Sequence, residues 1–516
     1  MADEKTEYTT FTTEEIVTET KTYETKVEQT SMSLAEEEIS VNQKSGRFEG
    51  EYDVNGNLKN VVISSTEKKL IRKLDYIYVM PFVAVLNFLQ FFDKSALGYA
   101  AVLGIKDDNH LTGTQYSWVS SIFYLGYLLF QGPSSVLIQR LPLSKYVGAV
   151  ITLWGVVLIL TFLSHSFSQL AAFRFLLGFF EAGIYPCCIM LISSLYRRNE
   201  QAGRIGVVYI CNGFAMAIGG LVGYGIGHMD GLHGMHAWKW IMIILGSVTA
   251  VFGITVFFFM VDSPKSKVLK LTPEEEEVVD ARMADNAVVQ TKSINWNHMI
   301  ESLKEPRFYC FVFASMFINF QNSALNNFSS LITAGFGFTN LNAILLTIPS
   351  GVTDVLYIVL AIWINRRYGH TLYSACAFFL IAIIGLLLLV VIPVAKAKLL
   401  GLYMVWAYAA GFVLLLASIA NNVSGYTKKI FYSSMMMVFY TFGNFIGPFL
   451  MIDAQKPLYV GGMVACMVFN AATIVLLLLA RWLMAKENRK RLANPVELEV
   501  VPDMTDVENK NFIYRL

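Results

Sequence analysis

Apolar runs long enough to cross a bilayer recur along this chain, broken by short polar turns. A helix of about 20 apolar residues covers the ~30 Å hydrocarbon core at a rise of 1.5 Å per residue. On that measure the pattern predicts spans over 76–100, 115–138, 145–165, 168–192, 204–228 and 238–261. A second series follows over 308–333, 340–364, 371–394, 399–420, 430–451 and 459–484. The expectation is an all-α membrane protein of twelve transmembrane helices in two six-helix bundles, 68–261 and 308–486, joined by a polar connector at 262–307. Two such halves suggest repeats that rock about a central site. Within the connector, Thr272-Pro273-Glu274-Glu275 reads as a helix start: a capping hydroxyl, proline in the first turn, and acids at the positive end of the dipole.

Composition agrees. The 516 residues are 55% hydrophobic and 15% charged, where a soluble chain carries about a quarter. The charges are segregated. Residues 1–67 are rich in Thr, Ser and Glu and predict a disordered N-terminal tail, and 487–516 predict a C-terminal tail. Lys and Arg cluster before the first span, after the last, and in turns holding Arg140, Lys145, Arg197, Arg198, Arg366, Arg367, Lys428 and Lys429. That bias puts both termini in the cytosol. The six cysteines have no metal-like spacing and read as small core residues. His233 and His236 in an outer loop are two potential ligands, too few for a metal site, so no metal and no cofactor is expected.

Four ionisable residues interrupt apolar spans: Asp93 and Lys94 in the first, Arg174 and Glu181 in the fourth. Charges at such depth are costly and by default face a protein-lined aqueous path. From helix rise, all four fall within roughly 9–20 Å of the outer end of their spans. Arg174 and Glu181 are two turns apart and share a face; Asp93 and Lys94 are adjacent and must point differently. Lys94 and Arg174 are therefore candidates to hold an anionic solute, Arg as a planar fork suited to carboxylates. Asp93 and Glu181 are candidate proton sites, because burial disfavours the ionised carboxyl. The competing reading is a pair of structural ion locks. Asp354 in the eighth span is a fifth intramembrane acid with no evident partner.

The seventh span carries Asn319, Asn322 and Asn326 on one helical face, either a solute-facing wall or an interhelical hydrogen-bonding stripe. Tyr209, and Tyr440 with Asn444, are further polar positions of that kind. Glycines crowd the fifth span at small-xxx-small spacing, which lets helices approach closely.

Several strings carry a family resemblance: Asp93-Lys94-Ser95-Ala96-Leu97-Gly98-Tyr99-Ala100, Phe123-Tyr124-Leu125-Gly126-Tyr127-Leu128, Arg174 to Glu181 continuing through Ala182-Gly183 to Pro186, Tyr196-Arg197-Arg198-Asn199-Glu200, Gly425-Tyr426-Thr427-Lys428-Lys429, and Gly443-Asn444 with Gly447-Pro448. Together they resemble the major facilitator superfamily and, within it, the anion:cation symporter family, fungal allantoate-permease branch. The resemblance implies the major facilitator fold, alternating access, and proton-coupled uptake of organic anions or amphoteric nutrients: ureido acids such as allantoate, short peptides, sulfur amino acids, sulfonates or vitamin-related acids. It implies binding and coupling roles for Asp93, Lys94, Arg174 and Glu181, and a plasma-membrane location. Many members have Asp-Arg where this chain has Asp93-Lys94, and their cytosolic Asp-Arg-Gly-Arg-like loop is Gln139-Arg140-Leu141-Pro142 here.

The expected partners are protons, a small anionic substrate and the lipid bilayer, with no nucleic acid, and the protein acting as a monomer. Two other functions compete: a transporter-like nutrient sensor, and a polytopic membrane enzyme, for which no nucleophile, metal set or cofactor motif is visible.

Overall fold

Helices form over each apolar run, and among the described residues there is no strand. The computed structural model describes residues 65–196, 198–261, 263–286, 295–494 and 504–516. The expected tail lies at 1–64 outside the described residues, and 65–67, assigned to it by sequence, instead open the helix Ser65–Lys73. The principal helices are α1 Met80–Val102, α2 Gln115–Arg140, α3 Leu143–Leu160, α4 Phe167–Glu181, α5 Arg198–Gly227 and α6 Ala237–Phe259. They continue as α7 Pro306–Gly335, α8 Thr347–Tyr368, α9 Thr371–Val391, α10 Ala407–Asn422, α11 Tyr426–Ile446 and α12 Val460–Ala493.

Ten helical segments among the described residues are long and apolar enough to cross a membrane. Helices α7 and α11 fall outside that set, and both are rich in amides, hydroxyls or lysines. Leu129, Leu153, Val251, Phe258, Val391 and Val475 stay exposed, an apolar girdle that suits lipid and not water. The fourth span is not one helix: α4 stops at Glu181 and the chain resumes as Ile184–Leu195. Pro186 has no N–H to return to the Ala182 carbonyl four residues back, so the ladder lapses there.

Helix α1 packs on α5 and α6, α2 on α4, and α3 on α6; α7 packs on α11 and α12, and α9 on α10 and α12. Three pairings cross between these sets: α1 with α7, α5 with α8, and α2 with α11. In the α1–α7 and α2–α11 crossings the close contacts lie toward the ends remote from Ser65 and Leu516: a Cβ added to Gly98 would lie 2.9 Å from the Asn326 carbonyl, and Trp118 meets Phe445 edge-on at 6.3 Å. Two further bonds join other helices there: Tyr116 of α2 donates to the Asn327 carbonyl of α7 at 2.9 Å, and Tyr99 of α1 sits 3.4 Å from the Thr347 hydroxyl of α8. Trp118 stacks edge-on against Phe449 at 5.0 Å. At the α5–α8 crossing a Cβ added to Gly351 would lie 2.5 Å from the Gly213 carbonyl, so only glycine permits that approach.

The face that carries the termini is organised differently. The connector helix Pro273–Asn286 begins with the expected cap, Glu275 N–H donating to Thr272 Oγ1 at 3.3 Å and Thr272 N–H to Glu275 Oε2 at 3.0 Å. Arg282 joins Glu67 and Glu200, and Arg204 grips Asp75 through two nitrogens. On the other half the C-terminal segment is not a free tail. Residues 504–516 fold back: Asn422 and Arg515 exchange bonds, Asn488 and Tyr514 do likewise, and Asp506 meets Arg307 and Lys428.

Candidate functional site

The expected charges of α1 and α4 do converge. Lys94 Nζ lies 2.5 Å from Glu181 Oε1, and Gln90, one turn before Lys94 on the same face, donates to that same oxygen at 2.7 Å. Asp93 points elsewhere, as adjacency on a helix requires, and accepts a bond from Trp154 Nε1 of α3 at 2.9 Å. Asp93, Arg174 and Glu181 are all buried. Asp93 Oδ1 and Glu181 Oε2 have no hydrogen-bond partner, so each carboxyl is held by one oxygen with the other left open.

Arg174 is the unusual member. Among the described residues no carboxylate comes within ion-pair distance of its guanidinium, and its Nε has no acceptor. Its charge is felt by Asp93, Tyr116 and Tyr124. The guanidinium carbon sits 5.3 Å from the centroid of Phe123, and Lys94 Nζ sits 5.8 Å from the same ring. Both cations thus share one aromatic side chain on α2. The sequence offered both Lys94 and Arg174 as anion ligands, with the arginine fork the better suited to a carboxylate. In the structure Lys94 is engaged by Glu181, and Arg174 Nε has no acceptor.

The asparagines of α7 form a network with other helices. Asn322 donates to Asn444 Oδ1 at 2.8 Å, and Asn444 donates to Asn319 Oδ1 at 3.1 Å. Asn326 bonds back to Asn322 Oδ1 at 3.0 Å, and Tyr408 of α10 donates to the same oxygen at 2.7 Å. Of the two sequence readings for this stripe, interhelical bonding is therefore realised, and the stripe joins α7, α10 and α11. Tyr440 of α11, whose carbonyl accepts from Asn444, also feels the charges of Lys94 and Glu181. The amide network and the charged cluster thus approach one another at Tyr440. The side chain of Tyr209 lies outside the described residues.

Known proteins share this sequence pattern and fold. Residues 83–451 match the Major Facilitator Superfamily model. The chain belongs to that superfamily. It is 30% identical to the allantoate permease of Saccharomyces cerevisiae over 477 residues, 88% of each chain. The thiamine pathway transporter THI73 of the same yeast is 29% identical, with 86% of each chain covered. An uncharacterized transporter of Schizosaccharomyces pombe is 31% identical over 88% of this chain and 93% of its own. Among solved structures, a bacterial homolog of the human lysosomal transporter Spinster superposes with a TM-score of 0.60 at 15% identity, covering 80% of this chain and 98% of that one. The chain is thus a multi-pass membrane transporter, and its named relatives are transporters and permeases, not enzymes.

Sequence reasoning missed Gln90, Trp154 and Tyr408, and quoted Phe123 only within a family string, with no role of its own. Gln90 was within reach, since it sits one helical turn from Lys94. Trp154 and Tyr408 come from other helices and carry no signal in their local sequence.

Proposed function

We propose that this facilitator imports a small organic anion together with protons by alternating access. Twelve membrane spans in two six-helix bundles, 68–261 and 308–486, would enclose the site, with both termini in the cytosol of a cell whose plasma membrane hosts it as a monomer. The observation that carries the reading is Arg174, a buried cation beside an ion pair with, among the described residues, no carboxylate at ion-pair distance. An unpaired buried charge is expensive unless something binds it, and a carboxylate or sulfonate supplies the missing acceptor.

Lys94 enters by competition. While Glu181 is ionised it holds Lys94; a proton on Glu181 weakens that pair and frees the ammonium to join Arg174 on the substrate. Proton and anion then bind together, which is symport. Asp93, fixed by Trp154 at one oxygen, balances Arg174 when the substrate has left. The amides of Asn319, Asn322, Asn326 and Asn444, with Tyr440, offer the opposite wall. Similarity to allantoate permease supports ureido acids as the first substrates to try. With both termini in the cytosol, the close contacts at the remote face would seal the outer side, which supports reading this conformation as inward-facing.

The test is Glu181→Gln. It should abolish accumulation of radiolabelled substrate against a gradient while allowing exchange of internal for external substrate. A Gln variant that concentrates substrate as well as the wild type overturns the coupling role.

A further inference from the structure

One buried acid has no part in the site above. Asp354 lies on α8 where that helix crosses α5, and it is 3% exposed. A Cβ added to Gly213 of α5 would lie 3.0 Å from Asp354 Oδ2 and 2.9 Å from the Gly351 carbonyl, so the carboxyl presses against bare backbone of the facing helix. Oδ1 accepts no bond, and among the described residues no Lys, Arg or His reaches the group. Tyr408 of α10 is the titratable neighbour that feels it, and through Asn322 that tyrosine belongs to the amide network. On its own helix Tyr357 turns to Phe378 of α9, and Thr353 bonds back to Ser350. The side chain of Tyr209, one turn before Gly213, lies outside the described residues.

Asp93 and Glu181 each have a donor and a cation nearby; among the described residues Asp354 has neither. An ionised carboxylate without a countercharge is strongly disfavoured at such a place, so the packed seam favours the neutral acid. The seam is also one of the three crossings that must part if the remote face opens. Parting would admit water to the carboxyl and remove the penalty on its charge.

We propose that Asp354 is a further proton-carrying group, protonated while α5 and α8 are packed and ionised when they part, so that proton uptake here drives closure of the remote face. The proposal rests on the alternating-access reading but not on the identity of the anion, nor on Glu181. Its sign is fixed: the closed state binds the proton more tightly, so acid favours closure and base favours opening. One proton changes the closed-to-open ratio by at most about tenfold per pH unit.

The test needs no substrate. Ile348, whose side chain packs at Gly220 of α5, is changed to Cys in the full-length protein in liposomes, and labelling by a membrane-impermeant maleimide from the remote face is followed against pH, normalised to denatured protein. Labelling should rise severalfold from mildly acidic to mildly alkaline pH, stay low and flat in Asp354→Asn, and regain its slope in Asp354→Glu. Asp354→Ser serves as a second neutral variant should Asn fail to reach the membrane. The same pH profile in both neutral variants as in the parent, or a flat parent profile, overturns the proposal. A profile flattened by Glu181→Gln but not by Asp354→Asn does so too, while leaving the carrier reading intact.

Discussion

Two charged clusters in this transporter use the same residue types and are finished in opposite ways. At the terminal face, Lys428 meets Glu301 at 2.7 Å, Asp506 at 3.1 Å and also Glu305. Arg307 meets Glu305 at 2.6 Å, the Asn422 carbonyl at 3.1 Å and Asp506. Tyr432 and Tyr514 add hydroxyl donors to Glu305 and Asp506 at 2.7 and 2.8 Å. Both cations there are enclosed by acids. In the α1–α4 cluster two carboxyl oxygens and an arginine nitrogen have no partner at all. A buried polar network that is complete rigidifies its surroundings, whereas one left incomplete is held ready for a ligand or a proton. The first cluster is accordingly read as a clamp and the second as a site.

The comparison can be broken at its strongest point by truncating each arginine. Arg174→Ala should lower uptake at low substrate concentration by about a hundredfold or more, the range expected when one partner of a buried charge pair is lost. Its melting temperature in detergent should change little, because no ion pair is lost. An Arg174→Ala protein that transports normally would remove the basis for calling the cluster a site.

Asp506→Asn attacks the clamp. Leaving Arg307 and Lys428 with less countercharge should destabilise the terminal face by roughly 3 kcal/mol, visible as a lower melting temperature and faster proteolysis of the C-terminal segment, with substrate affinity unchanged. The pH sign follows from the same contacts. Burial pushes the Asp506 carboxyl up, but Arg307 and Lys428 outweigh it and hold it below the usual carboxylate value. A carboxyl depressed in the folded state stabilises above its unfolded value and loses that effect as pH falls through the folded one. Docking of 504–516 should therefore persist at neutral pH and fail only in strong acid. Release that begins near neutrality would contradict the assignment. The smallest effect is expected at Thr272→Ala, which removes one cap from the connector helix at about 1 kcal/mol and should leave transport intact.

Much of this was legible before any coordinates. The periodic apolar runs located the helices, because a bilayer leaves a chain no other way to satisfy its backbone. The connector cap follows from the residue types at Thr272 and Glu275, and the divergence of Asp93 from Lys94 from helix geometry. Other features were not legible for equally physical reasons. The interruption of the fourth span could have been suspected from Pro186, but the docking of 504–516 depends on Asp506 finding Arg307, 199 residues before it in the chain.

The sequence by itself determined that this is a many-helix membrane protein with acids and bases buried in its first and fourth spans, since hydropathy and helical rise are local properties. Which charge is satisfied and which is left waiting was decided only by tertiary structure. Lys94 and Arg174 are both cations within apolar runs of the chain, and they differ because Glu181 pairs with one while, among the described residues, no carboxylate comes within ion-pair distance of the other. Pairing is a matter of distances between helices, and no local pattern of residues encodes those distances.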